Sequence, residues 1–305
     1  MTNRDKIVSF FERLFFKPAK SDWVIIALLS PLSLIYGTIM LIRRVLTPKI
    51  DYSIPIISVG NLTLGGSGKT PFTIALASKY KNVYIISRGY GRKSKGLVEV
   101  SSNGKILTDV FNSGDEAMLM AKSLPNSSII VSENRKKAIE LAKKRGAKII
   151  ILDDGFNRIS IKKFEILLLP AKIENYFPLP AGAFREFYFT KIFANLILVE
   201  GRDFKRKVYI KNPTERMLLV TAISNPQRLD PFLPKEVIGR VYLQDHAYFD
   251  KNNIIEKISQ SDAISLLVTE KDEVKMEDFK VPLSIMELRL DINSSIFNRI
   301  DKFLL

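Results

Sequence analysis

Near residue 60 the chain commits itself to one kind of local structure. Ile56–Gly60 is apolar apart from Ser58 and runs straight into Asn61-Leu62-Thr63-Leu64-Gly65-Gly66-Ser67-Gly68-Lys69-Thr70, after which Pro71 opens a helical segment. Strand, glycine loop and helix therefore follow in the order a phosphate cradle requires. Glycines let successive backbone N–H groups curl around phosphate oxygens, and the helix N-terminus brings its positive dipole end to the anion. A lysine reaches the β- and γ-phosphates, and a hydroxyl reaches Mg²⁺. Thr63, Gly65, Gly66, Ser67, Gly68, Lys69 and Thr70 are the candidate nucleotide ligands. One departure from G-x-x-x-x-G-K-[ST] is plain: Thr63 stands where the first glycine usually does.

Such a loop needs a carboxylate at the end of a neighbouring strand to hold Mg²⁺ or its waters. Ile149–Leu152 followed by Asp153-Asp154-Gly155 supplies one, so Thr70 with Asp153 or Asp154 is the expected metal set. With Cys 0 and His 1, thiolate nucleophiles, Cys-ligated zinc, iron–sulfur clusters and multi-His metal sites are excluded, which leaves hard oxygen-based chemistry. Around the loop, short β-rich runs at 54–59, 83–87, 128–131, 149–152 and 195–199 alternate with amphipathic stretches, the pattern of a mostly parallel α/β sheet covered on both faces. A second α/β run has strands at 217–221, 237–243, 264–268 and 283–288. The basic, polar stretch 201–215 between them reads as a linker, which puts the boundary near residue 205: residues 1–205 form one domain and 206–305 a smaller one.

The formal charge of +15 draws the molecule toward polyanions, whether nucleic acid, an anionic bilayer or a phosphorylated substrate. Its placement narrows the choice. Residues 1–50 carry Arg4, Lys6, Arg13, Lys17, Lys20, Arg43, Arg44 and Lys49, and between these flanks Trp23–Ile42 holds no charge over 20 residues, about the span of a bilayer core. Ser30-Pro31, Tyr36 and Gly37 dilute that run and predict a kink. An embedded anchor and a helix lying in the interface both fit, with a buried helix of a soluble domain as the third reading. A cleaved signal peptide fits poorly, because the segment starts late and lacks a small-residue cleavage site. No nucleic-acid reading module or basic–aromatic platform is recognisable, so nucleic acid is not an expected partner.

Guanine-nucleotide switches would space Asp-x-x-Gly and Asn-Lys-x-Asp differently from Asp153-Asp154-Gly155 and Thr269-Glu270-Lys271-Asp272, and Leu64 stands where partitioning ATPases carry a signature lysine. The ordered segments Val59–Pro71, Ser87–Arg92, Gly114-Asp115-Glu116, Asp153–Phe156, Ala181-Gly182 with Arg185-Glu186, Asp245-His246 and Thr269–Lys275 closely resemble those of the tetraacyldisaccharide 4′-kinases of lipid A biosynthesis. The resemblance covers most of the chain. It implies a P-loop kinase domain with an N-terminal membrane helix and a smaller C-terminal domain closing over the nucleotide. It further implies the cytoplasmic face of the inner membrane as location and, as activity, transfer of the ATP γ-phosphoryl group to the 4′-hydroxyl of a tetraacylated disaccharide 1-phosphate.

From the same resemblance Asp115 is the expected general base and His246 its partner in a dyad; read alone, Asp115 would be a helix cap and His246 an ordinary surface or core histidine. Lys69 would take the γ-phosphoryl charge. Arg88, Arg135, Arg185 and Glu186 fall in or near matched segments and are candidate substrate contacts, with solvated charges or a structural ion pair as the plainer alternative. Thr269–Asp272 either helps enclose nucleotide or caps the next helix. Two family positions differ here, Ala247 where a second histidine is usual and Asn157-Arg158 where Gln-His is usual, and no role carries over to them. The competing function is a membrane-associated P-loop ATPase that drives transport or partner assembly, with water as acceptor and no need for Asp115 and His246 at an acceptor pocket.

Overall fold

The computed structural model describes residues 3–65 and 68–305. Helices α1 (Asn3–Phe16) and α2 (Asp22–Leu46) open the chain, followed by β1 (Ile56–Gly60), α3 (Lys69–Ala77), β2 (Val83–Ser87), β3 (Val98–Ser102) and β4 (Lys105–Ile106). Next come α4 (Val110–Ser113), α5 (Asp115–Ser123), β5 (Ser127–Val131), α6 (Arg135–Lys144), β6 (Ile149–Asp153), β7 (Phe164–Leu169), β8 (Leu196–Val199), β9 (Phe204–Lys211) and β10 (Met217–Thr221). The chain ends with β11 (Val237–Tyr242), α7 (Lys251–Ser261), β12 (Ser265–Thr269), α8 (Glu270–Glu273), β13 (Leu283–Ile292) and α9 (Ser294–Leu304). Two compact units result. One holds the residues up to Lys69 together with Asp154–Phe204 and Asn293–Leu305, and the other holds Thr70–Asp153 and Lys205–Ile292.

In the first unit β1, β7 and β8 pair in parallel. β1 is buried along its whole length, as a strand covered on both faces must be, and its apolar run follows from that. β7, Phe164-Glu165-Ile166-Leu167-Leu168-Leu169, was not among the expected strands. Phe164 packs against Phe303 of α9 with ring centroids 4.9 Å apart.

α2 is the element whose sequence and environment disagree most with a soluble core. Its inward residues are Asp22, Ile26, Ser33, Gly37 and Arg44, a single stripe at helical spacing built largely from small and polar groups. The apolar residues Val24, Leu28, Leu32, Ile35, Ile39, Ile42 and Leu46 face outward and are exposed. Only 17% of its most apolar window is buried, at a mean hydropathy of 2.2, so α2 is not a buried core helix. Among the described residues it is the one helix long and apolar enough to cross a membrane. The helix is assigned continuously through Pro31. Its inward stripe docks on the segment 181–187: Ser33 Oγ accepts from Ala181 N at 2.9 Å. At Gly37 a Cβ would come within 2.6 Å of the Phe187 ring, so only glycine allows this approach. At its first turn Asp22 receives both Arg13 Nε (2.9 Å) and Nη2 (2.8 Å), tying α1 to α2.

In the second unit β2 pairs in parallel with β5 and β6, and β3 and β4 extend the edge in antiparallel fashion. Its other sheet runs in the order β11-β10-β12-β13-β9, with β11, β10, β12 and β13 mutually parallel. The stretch read as a linker is largely strand: β9, Phe-Lys-Arg-Lys-Val-Tyr-Ile-Lys, alternates inward and outward side chains. Its lysines, Lys205, Lys207 and Lys211, are outward-facing positions of an edge strand, where charge blunts pairing with other chains, while Arg206 shares the inward phase with Val208 and Ile210. The core of this sheet is Leu218, Val220, Leu266, Val268, Ile254 and Ile285, with Phe249 and Met276 packed on it.

Candidate active site

The glycine loop is held by a second segment rather than by its own glycines alone. Arg185 N donates to Leu62 O at 2.7 Å and Leu64 N to Ala183 O at 2.9 Å, and Thr63 bridges to Phe184. Thr63 thus forms part of a short β contact at the loop entrance. Gly65 (φ 85°) and Gly68 (φ 77°) adopt the left-handed backbone that the turn demands and that side chains oppose. Gly66 and Ser67, both expected nucleotide ligands, lie outside the described residues. Lys69 begins α3, with its Nζ 3.0 Å from Asn61 Oδ1 and 3.5 Å from Asp154 Oδ1. Asn61, to which the motif assigns no role, accepts from the ammonium through Oδ1 while its Nδ2 faces Thr63 Oγ1 at 3.4 Å.

The two aspartates after β6 do different things. Asp153 is buried and accepts from Thr73 Oγ1 at 3.4 Å and Ser87 Oγ at 3.3 Å. Asp154, in left-handed backbone (φ 52°), is half-buried and receives Arg185 Nη1 at 3.1 and 3.2 Å beside Lys69. Burial alone would push its carboxyl up, but Lys69 and Arg185 overcome this and hold it below the ordinary carboxylate range. The turn is fixed from behind by Gly60, where a Cβ would fall 2.5 Å from Phe156 Cβ.

Of the expected substrate contacts, Arg88 is exposed at the carboxyl end of β2. Arg185 is engaged with Asp154. Arg135 is buried and donates through Nη1 to Ser87 O at 3.0 Å and also to Ser132 O. Glu186 is buried and receives both Arg44 Nε (2.5 Å) and Nη2 (2.7 Å), so its pairing is with α2. The sequence carried no signal for that pair, whose members lie 142 residues apart.

In the second unit Asp115 starts α5, with Gly114 rather than Asp115 at the cap position. Its carboxylate is buried and meets His246 Nδ1 at 2.9 Å (Oδ1) and 3.0 Å (Oδ2). His246 sits in left-handed backbone (φ 60°), its N donating to Ala222 O at 3.0 Å and its ring centroid 4.8 Å from that of Tyr90. Asp115, His246, Tyr90, Gly91, Tyr248 and Lys275 line one small pocket. Burial disfavours the charged carboxylate, yet the hydrogen bond from His246 and the nearby Lys271 and Lys275 hold Asp115 below its ordinary range. Lys275, buried, lies 3.6 Å from Asp115 Oδ2 and 3.2 Å from Asp272 Oδ1. Asp272 in turn accepts from Thr221 Oγ1 at 2.6 Å and Thr269 Oγ1 at 2.7 Å, and Thr269 caps α8. The Thr269–Lys275 stretch therefore buttresses the Asp115 pocket.

Among the described residues no cluster of three or more His, Asp or Glu is arranged to hold a metal. The expected metal set, Thr70 with Asp153 or Asp154, offers a hydroxyl and a carboxylate. Hard oxygens in that small number suit Mg²⁺, which keeps several waters and takes the rest of its shell from substrate phosphates, and do not suit an all-protein cage.

The family described as tetraacyldisaccharide-1-P 4′-kinase matches residues 25–305. A tetraacyldisaccharide 4′-kinase of Helicobacter pylori (strain HPAG1) is 48% identical over 97% of this chain and 95% of its own length. Those of Aliarcobacter butzleri and Campylobacter jejuni (strain ATCC 700819 / NCTC 11168) are 48% and 40% identical over 96% and 97% of this chain, each over 96% of its own length. The crystal structure of LpxK from Aquifex aeolicus in complex with ATP superposes with a TM-score of 0.77 at 28% identity, covering 92% of this chain and 100% of that one. The chain belongs to the tetraacyldisaccharide-1-P 4′-kinase family.

Proposed function

We propose that this chain is a tetraacyldisaccharide 4′-kinase of lipid A biosynthesis, which moves the γ-phosphoryl group of ATP to the 4′-hydroxyl of a tetraacyldisaccharide 1-phosphate. Family membership along nearly the whole chain supports the reaction. The observation that carries the chemistry is the buried Asp115–His246 pair, because an acceptor hydroxyl must surrender its proton as its oxygen bonds to phosphorus, whereas nucleotide binding alone needs no such pair.

In this reading the Gly65–Gly68 backbone cradles the β-phosphate and Lys69 carries the γ-phosphoryl charge. Thr70 and Asp153 or Asp154 would hold Mg²⁺, which would supply charge neutralisation for the transferring phosphoryl group. Asp115 takes the sugar hydroxyl's proton as the new O–P bond forms and the bond from the γ-phosphorus to the bridging oxygen breaks, releasing ADP. His246 orients the Asp115 carboxylate. Arg185 positions Asp154, and Arg88 is the exposed arginine available to a substrate phosphate. Arg135 and Glu186 support the site through the partners already described.

The acyl chains account for α2. A multiply acylated substrate leaves a bilayer only at about 0.8 kcal/mol per CH₂, so the enzyme works at the membrane. The outward apolar face of α2, with exposed Arg43 in its last turn and exposed Lys49 just beyond, suits attachment at the cytoplasmic face of the inner membrane, where ATP is at hand and basic ends meet anionic headgroups.

Purified full-length protein incubated with γ-labelled ATP, Mg²⁺ and the acylated disaccharide 1-phosphate tests the reading. Label in the lipid is expected, and Lys69→Ala and Asp115→Ala are each expected to lower transfer by about 10²–10⁴-fold with the fold retained. Free phosphate without labelled lipid would favour a membrane-associated ATPase instead. Undiminished transfer by Asp115→Ala would remove the base assignment.

A further inference from the structure

His246 is the only histidine in the chain, and the two ring nitrogens face opposite kinds of partner. Nδ1 meets the Asp115 carboxylate at 2.9 and 3.0 Å. Nε2 meets Lys271 Nζ at 3.4 Å, with Asp245 Oδ2 slightly farther at 3.6 Å. An ionised carboxylate can only accept and an ammonium can only donate. A neutral imidazole satisfies both neighbours in one way, with the proton on Nδ1 and the lone pair on Nε2.

We propose that Lys271 is a positioning residue that fixes His246 as the Nδ1–H tautomer by donating to Nε2, so that the imidazole donates to Asp115 and holds that carboxylate ionised and oriented. Its consequence for catalysis rests on the kinase reading above; the tautomer itself does not. Lys271 is placed for this by α8, where its ammonium also faces Glu116 Oε1 at 3.3 Å, Asp245 Oδ1 at 3.8 Å and Asp115 Oδ2 at 3.9 Å. Burial opposes its charge, but Glu116, Asp115 and Asp245 outweigh it and raise Lys271 above the ordinary ammonium range, so it stays a donor at neutral pH. The ring has little room to turn away: Tyr90 lies against one side, and at Gly91 a Cβ would stand 3.2 Å from His246 Cβ. Lys275 approaches Asp115 rather than the imidazole and donates to Ala247 O at 3.1 Å, so the two lysines divide the work.

Because there is one histidine, ¹⁵N-histidine labelling of the full-length protein in detergent micelles reports one imidazole without assignment. At neutral pH the wild type is expected to show a protonated Nδ1 and a lone-pair Nε2. Lys271→Met is expected to move the signal to the Nε2–H form or to a mixture, and to lower transfer by about ten- to a hundredfold with KM for ATP held within about twofold. Lys271→Arg, which keeps a cationic donor, should retain the wild-type tautomer. An Nε2–H or doubly protonated imidazole in the wild type would overturn the proposal, and that measurement decides even where Lys271→Met fails to fold. A folded Lys271→Met with an unchanged imidazole signal would overturn it equally. Free phosphate without labelled lipid would instead sink the kinase reading, full transfer by Asp115→Ala would remove the base assignment, and either would leave the tautomer result standing.

Discussion

Replacing Glu186 by alanine strands a buried guanidinium, and the cost can be worked from its surroundings. The Arg44 and Glu186 side chains are 6% and 4% exposed and meet through two hydrogen bonds at 2.5 and 2.7 Å. Breaking one partner of such a pair typically costs about 3–5 kcal/mol, because the remaining charge is left uncompensated away from water. Arg44 keeps two consolations, a hydrogen bond to Phe156 O at 3.1 Å and stacking of its guanidinium 4.2 Å from the Phe156 ring centroid. A desolvated cation–π contact is worth about 2 kcal/mol, so the loss for Glu186→Ala belongs at the lower end, near 3 kcal/mol. For a chain of this length melting as a whole, that is about 5 °C of Tm. The double variant Arg44→Met, Glu186→Leu removes both charges and is expected within about 1 kcal/mol of the wild type. Circular-dichroism melts of the wild type, Glu186→Ala and the double variant, in the same micelles, check this. A Glu186→Ala loss below about 1 kcal/mol, or a double variant as unstable as the single one, would refute a closed, desolvated pair.

Three further outcomes follow from the geometry. Gly60→Ala places a Cβ 2.5 Å from Phe156 Cβ and 2.9 Å from its backbone N, and the Asp153–Phe156 turn must move; expected are a lower Tm and weakened nucleotide uptake by calorimetry, and wild-type values for both would contradict the close approach. Asp115 is held below the ordinary carboxylate range, so the stability it contributes is present above the unfolded value of about 3.9 and lost as pH falls through the lower folded value. The wild-type kcat/KM profile is accordingly expected to show no carboxylate limb between about pH 5 and 8, while His246→Gln moves that limb upward; a wild-type rate that collapses between about pH 5 and 6 would contradict the assignment. Leu28→Lys with Ile35→Lys, on the exposed face of α2, should abolish flotation with anionic vesicles, and undiminished flotation would remove α2 from membrane attachment.

What the sequence disclosed depended on how local the chemistry was. The strand, glycine loop and helix around Lys69 are contiguous, and each residue type there answers a demand made within a few residues, so the order of strand, loop and helix was legible from the letters alone. β7 was not, because Glu165 interrupts its apolar pattern and Lys162 and Lys163 run directly into it; what makes Glu165 tolerable inside is Lys163 Nζ at 2.7 Å, a compensation that appears only once the chain is folded. β9 was passed over for the opposite reason: its basic composition reads as linker, while its alternation, visible in burial, is that of an edge strand. The Asp115–His246 pair spans 131 residues, so no spacing rule could join it, and only the resemblance to a family did.

The same distinction changes the meaning of the +15 charge. Read from composition, every lysine and arginine counts toward an electropositive surface. In the folded chain Arg44, Arg135, Lys163 and Lys275 are turned inward, onto Glu186, backbone carbonyls, Glu165 and the Asp115 pocket respectively. Burial drives Lys163 below the ordinary ammonium range and Glu165 above the carboxylate range, the signature of a pair whose function is internal. Lys69 faces Asn61 and Asp154, and Lys271 the imidazole. These inward bases take inward acids with them, Glu186, Glu165 and Asp115, so the positive balance is left to outward groups such as Arg43, Lys49 and the lysines of β9. Salt should therefore loosen membrane attachment only modestly, because the outward apolar face of α2 is indifferent to ionic strength while the exposed bases are screened within about 8 Å at physiological salt. Complete release from vesicles by salt alone would show that charge, and not the apolar face of α2, holds this enzyme to its lipid.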